Sequence, residues 1–232
     1  MTGGRRQDGR AAGRLAARPT ALAGESAPMA TGVRPLGVAT ARDALLYMPT
    51  GLRAGTPAPL VVALHGAGGT GQRGLDLLLA EAEARTLLLL APTSRGATWD
   101  LLSGGYGPDV ALLDRALATV FARYAVDPAH LAIAGFSDGA SYALSVGLAN
   151  GDLFGHLLAF SPGFAAPGER AGQPPVFISH GTHDAVLPIE RCSRRIVPQL
   201  RRAGYDVLYR EFDGPHTVPP AIVRDGLDWF LG

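Results

Sequence analysis

The chain has 232 residues, of which 47% are hydrophobic and 7% aromatic, and a formal net charge of +1. That suits one buried core and is short for two; the balanced charge gives no reason to expect a nucleic-acid partner, and no apolar run approaches the ~18 residues of a membrane span. All 21 basic residues are Arg, which removes lysine chemistry, and the lone Cys192 cannot form an internal disulfide, in keeping with a cytoplasmic protein.

Residues 1–35 hold six Arg against Asp8 and Glu25, net +4, leaving −3 for the rest. Leu15 and Leu22 stand almost alone among Arg, Ala, Gly and Pro, so this stretch is expected to be a flexible tail outside the fold. Arg5-Arg6 is followed by no apolar h-region, which argues against a twin-arginine signal, and Met29 is a conceivable alternative start. Residues 36–232 are then expected to form a single domain.

Within that domain the pattern alternates. Strand runs fall near 43–48, 60–64, 87–91, 131–134, 156–160, 176–179 and 206–212. Helical patterns lie between them near 72–85, 108–124, 138–149, 189–203 and 219–231. Pro108-Asp109 gives one helix a favourable start. Such βαβ alternation predicts an α/β fold: a mostly parallel, doubly wound sheet with helices on both faces. The Gly/Pro-rich stretch 161–175 reads as a loop, either a plain connector or part of a pocket rim.

The most informative string is Gly135-Phe136-Ser137-Asp138-Gly139, between a buried strand and a helix rich in small residues. G-x-S-x-G in that setting is a nucleophile elbow, a turn so tight that its flanking glycines leave no room for a Cβ. A seryl hydroxyl needs a base to take its proton and an acid to orient that base. Downstream, Asp184 follows the strand run ending at Ser179, and His216 follows the last one. The predicted triad is Ser137, Asp184 and His216, in the order Ser, Asp, His.

Asp213 competes for the acid role, although its Asp-Gly pair suits a turn. His183 competes for the base, although it precedes the acid in the chain. His65 and His180 each precede glycine at a strand end and read as loop-bracing groups; His130 and His156 read as scaffold. The oxyanion would need donors already in place. Asp138 N–H, just after the nucleophile, is one; Ala67 N–H, in the glycine-rich loop His65–Gly71 after strand 60–64, is the other. Cys192 reads as a packing residue. No H-E-x-x-H or comparable spacing occurs, so no metal and no cofactor are expected.

The strings HGAGGTG, GFSDGA, HGTHDAVLP and DGPHT together resemble the phospholipase/carboxylesterase group of the α/β-hydrolases, akin to the acyl-protein thioesterases, over about residues 40–232. The resemblance implies a serine esterase with the triad and oxyanion donors named above. Ala140 stands where many relatives have a second glycine. The stretch from Ala91-Pro92 to Thr98-Trp99-Asp100 resembles segments that line the acyl site in related esterases. Trp99 and Phe164 are therefore candidate substrate contacts, although large aromatics are more often core. No segment resembles a cap or long acyl tunnel, which implies an open site and a small soluble ester as substrate. Lysophospholipase, acyl thioesterase, polyester depolymerase and peptidase activities stay open. So does a non-catalytic binding protein on the same scaffold, and monomer and homodimer fit equally.

Overall fold

A computed structural model describes residues 13–19, 30–53 and 55–232. Eight strands form one sheet: β1 Gly32–Pro35, β2 Leu45–Met48, β3 Ala58–Leu64, β4 Leu88–Ala91, β5 Val126–Phe136, β6 His156–Phe160, β7 Val176–Gly181 and β8 Val207–Phe212. Among the described residues the helices are α1 Gly71–Ala82, α2 Pro108–Arg123, α3 Asp138–Ala149, α4 Ser193–Arg202 and α5 Pro220–Leu231, with a 3₁₀ turn at Asp100–Ser103.

The strand order is β1-β2-β4-β3-β5-β6-β7-β8. β1/β2 and β2/β4 pair antiparallel, and the remaining neighbours pair parallel. This is the mostly parallel α/β sheet expected from the alternation. The central strands are apolar throughout because helices cover both faces. Leu60, Val62, Leu64, Leu131 and Ile133 face a core closed by α2, α3 and α4, whereas Val61, Ala63, Ala132 and Ala134 face one closed by α1 and α5. The period-2 alternation of a strand thus splits one apolar run between two layers.

Two boundaries differ from expectation. β5 begins at Val126, five residues early, because Val126 pairs with Ala58 ahead of a register shift. β1 was not anticipated: it has four residues, with Val33 its single exposed aliphatic side chain, and pairs only at the sheet edge.

The tail expectation for residues 1–35 needs correction where the structure describes them. Besides β1, the segment 13–19 lies against α2 and the end of α3. Leu15 is 3% exposed. Its N–H donates to Asn150 Oδ1 at 2.8 Å, and Asn150 Nδ2 donates to Gly13 O at 2.8 Å. Ala16 and Ala17 N–H both donate to Asp114 Oδ1, at 2.7 and 2.8 Å. Arg14 and Arg18 both reach Asp152, whose carboxyl they hold down at about 2 despite some desolvation, Arg14 contributing most. Composition misled because this docking rests on backbone–side-chain hydrogen bonds and one leucine rather than on apolar periodicity. The rest of that expectation, with Arg5-Arg6 and Met29, lies outside the described residues.

Exposed ion pairs such as Arg18–Asp152 contribute little, so the buried Leu15 and Asn150 contacts carry most of the docking energy. Leu15→Ala should lower the unfolding free energy by about 2–3 kcal/mol in urea titration. A flexible tail would give no change.

Candidate active site

The strand-to-helix reversal at the end of β5 is made in one residue. Ser137 has φ 57 and ψ −121, outside the regions an L-residue favours. A Cβ on Gly135 would lie 2.3 Å from Gly139 O, and one on Gly139 would lie 2.4 Å from Leu64 O. Both glycines are therefore required by close approach of backbone, as the elbow reading predicted. Ser137 N–H donates to Phe160 O at 3.0 Å, tying the turn to the end of β6.

Three side chains from three strand ends meet there. Ser137 Oγ lies 2.9 Å from His216 Nε2, and His216 Nδ1 lies 2.5 Å from Asp184 Oδ2. Asp184 Oδ1 accepts the N–H groups of Val186 and Leu187 at 2.9 and 2.7 Å. Burial alone would raise the Asp184 pKa, but the Leu187, His216 and Val186 donors outweigh it and hold the carboxyl below its ordinary range. The competitors stand elsewhere: Asp213 pairs with His183 at 2.9 Å, and both are exposed.

The loop after β3 wraps over the elbow. Neither Ala67 N–H nor Asp138 N–H, at the first position of α3, has a hydrogen-bond partner among the described residues. Gly68 N–H donates to Ala97 O at 2.7 Å, and Thr98 Oγ1 donates to Asp138 Oδ2 at 2.7 Å, so the segment after β4 braces both sides.

No protein-family model matches the sequence. Among solved structures, esterase PE8 is 25% identical, covering 80% of this chain and 96% of its own, with a TM-score of 0.65. The propionate-bound esterase Est2 of Thermogutta terrifontis is 19% identical (87% and 93% covered, TM-score 0.67). Acyl-protein thioesterase 2 of Zea mays is 21% identical (82% and 99% covered, TM-score 0.59). The chain is an α/β-hydrolase by fold.

In this α/β-hydrolase His65 is neutral and structural. Its Nδ1–H donates to Gly66 O at 2.7 Å, and its Nε2 accepts Ser94 N–H at 3.0 Å. Trp99 is 1% exposed; its Nε1–H donates to His65 O at 2.9 Å, and its ring stacks between His65 and Tyr142. It supports the loop after β3 from behind and presents no surface to a ligand. The candidate contact at Trp99 is corrected accordingly, since its indole fills the core beneath the segment whose backbone borders the site.

A cleft of about 590 Å³ opens beside His216. Leu77, Phe136 and Val218 supply its apolar wall, Gly66–Thr70 one side, and Arg73 and Asp76 its polar rim. Phe164 is not part of that wall. It belongs to the 161–175 loop, which is tied down by Gly163 and Ala166 N–H on the Ser141 and Ser145 hydroxyls and lines none of the cleft. Cys192 is buried, and desolvation raises its thiol pKa, which suits a packing role.

His65, His156 and His180 all have pKa values lowered chiefly by burial. For a base whose folded value lies below its unfolded one, the unfolded state binds more protons, so stability falls as pH drops below about 6.5. The urea midpoint should therefore be lower at pH 5.5 than at pH 7.5. Replacing His156, which lies outside the triad, with Phe should reduce that dependence.

Proposed function

We propose that this protein is a serine carboxylesterase acting on small, soluble esters. The observation that carries this reading is the unbroken Ser137–His216–Asp184 hydrogen-bond chain beside two free backbone N–H groups and an open cleft. Ser137 Oγ attacks the ester carbonyl carbon while His216 Nε2 takes its proton. The oxyanion is received by Ala67 and Asp138 N–H, each of which is worth about 3 kcal/mol in comparable sites. Collapse expels the alcohol, protonated by His216, and leaves Ser137 acylated. His216 then deprotonates a water that attacks the acyl carbonyl and returns the serine. Asp184 holds the imidazole in the tautomer with its proton on Nδ1 and stabilises the imidazolium.

The substrate size follows from the cleft. About 590 Å³ is ordinary for a small ligand, and its apolar wall is short. The neighbours named as esterases support ester hydrolysis, and the one named as an acyl-protein thioesterase makes thioester cleavage the main alternative. No helix among the described residues is long and apolar enough to cross a membrane, in keeping with a substrate met in water.

The test is a p-nitrophenyl ester series from acetate to palmitate, run beside Ser137→Ala. Activity should be confined to short chains and fall by about 10⁵–10⁶ in the variant. A long-chain preference would favour lysophospholipase or thioesterase, and no activity on any ester would leave a binding protein. Asp184→Asn should fold and lose up to about 10⁴ in kcat, whereas Asp213→Asn should keep wild-type rates.

A further inference from the structure

Asp184 serves a second imidazole. His180, at the end of β7, is fully buried, and its Nε2 lies 3.2 Å from Asp184 Oδ2, the same oxygen that His216 Nδ1 approaches. The same Nε2 is 2.8 Å from Leu187 O, which can only accept, so the His180 proton sits on Nε2. Nδ1 is then an acceptor, and Ser193 Oγ, fully buried at the start of α4, donates to it at 2.7 Å. The chain runs Ser193–His180–Asp184–His216–Ser137. One carboxylate thus lies between two serine–histidine pairs, and of those four side chains only His216 lines the cleft.

We propose that His180, held by Ser193, is a positioning residue for the triad: it fixes the Asp184 carboxylate so that Oδ2 points at His216 Nδ1. This inference rests on the esterase reading of the site. The carboxylate would otherwise be anchored on one side only, through Oδ1 on the Val186 and Leu187 N–H groups. The Nε2–H of His180 is given to Leu187 O, whose own N–H holds Oδ1, while Nε2 packs 3.2 Å from Oδ2, so the ring fixes the Asp184–Leu187 turn and limits where Oδ2 can lie. The role needs a neutral imidazole, because a charged one would share the anion that His216 requires. Burial favours the neutral form, and the groups facing His180 do not overturn it. Asp184 and His216 lie on one side, Glu211 is its register partner on β8 and is engaged by Arg194, and Cys192 precedes Ser193.

The test compares His180→Ala, His180→Gln and Ser193→Ala with wild type in two measurements. On a short-chain p-nitrophenyl ester, His180→Ala should lower kcat by about 10- to 100-fold with KM nearly unchanged, the scale of a misplaced catalytic group. The acid limb of its kcat/KM profile should move to lower pH, because the His216 imidazolium loses a well-aimed anion. His180→Gln, whose amide can supply the donor at the Nε2 position, should recover most of the rate, and Ser193→Ala should show a smaller loss in the same direction. The second measurement needs no turnover: the low-field proton resonance of the His216 Nδ1–H···Asp184 bond should shift and broaden in His180→Ala and be restored in His180→Gln. A folded His180→Ala with wild-type kcat, acid limb and resonance overturns the proposal. If that variant fails to fold, Ser193→Ala with an unchanged limb and resonance overturns it equally. Should the wild type hydrolyse no ester, the esterase reading falls, while the resonance still decides whether His180 aims Asp184.

Discussion

Between the end of β5 at Phe136 and the start of α3 at Asp138 the chain reverses in a single residue, and that reversal sets Ser137 where the His216 side chain meets it. It requires the backbones of β3, β5 and α3 to touch, which they do at Gly135 and Gly139. A non-glycine residue at φ 57 costs on the order of 1–3 kcal/mol, which only over-determined surroundings can hold. The hydrogen bond from Ser137 to Phe160 and the fully buried α3 face supply that restraint. The same contact that turns Ser137 out of the sheet also sets the β3 loop over it, so the hydroxyl and the Ala67 and Asp138 N–H groups are positioned by one packing event rather than two.

Two buried histidines serve as fixed connectors around this point. His65 bridges Gly66 O and Ser94 N–H; His180 bridges Leu187 O with Asp184 and Ser193 Oγ. Each offers one donor and one acceptor on a rigid ring, which suits a neutral imidazole and no other side chain of that size. Burial keeps both neutral, so neither competes for the charge that develops on His216. His216 differs from both: its Nδ1 ends on Asp184, but its Nε2 faces Ser137 Oγ beside the cleft.

That Ser137, Asp184 and His216 meet was legible because the expectation rests on chain order and strand ends, both readable from the sequence. The central strands and all five helices were legible from apolar runs and spacing. What could not be read was set by contacts between distant residues. The segment 13–19 docks through Asn150, Asp114 and Asp152, more than ninety positions away, and nothing in its Arg- and Ala-rich composition signals partners. Trp99 illustrates the opposite failure: its aromatic character fits pocket or core equally, and only the indole N–H on His65 O decides between them. His180 was correctly read as bracing a loop, but that the braced group is the acid of the triad depends on a contact no spacing reveals.

The wall of the cleft comes from the loop after β3, the first turns of α1 and the residues just after His216. The 161–175 loop, which rims no part of it, is pinned through Ser141, Ser145 and Tyr106 to α3 and to the aromatic stack behind Trp99. A segment so pinned cannot follow a ligand, whereas Arg73 projects from an exposed turn of α1 with only a distant ion pair to Asp76. The Ser137–His216–Asp184 chain thus sits at strand ends, whereas Arg73 and Asp76 on the rim of the cleft are exposed side chains of α1, away from the elbow.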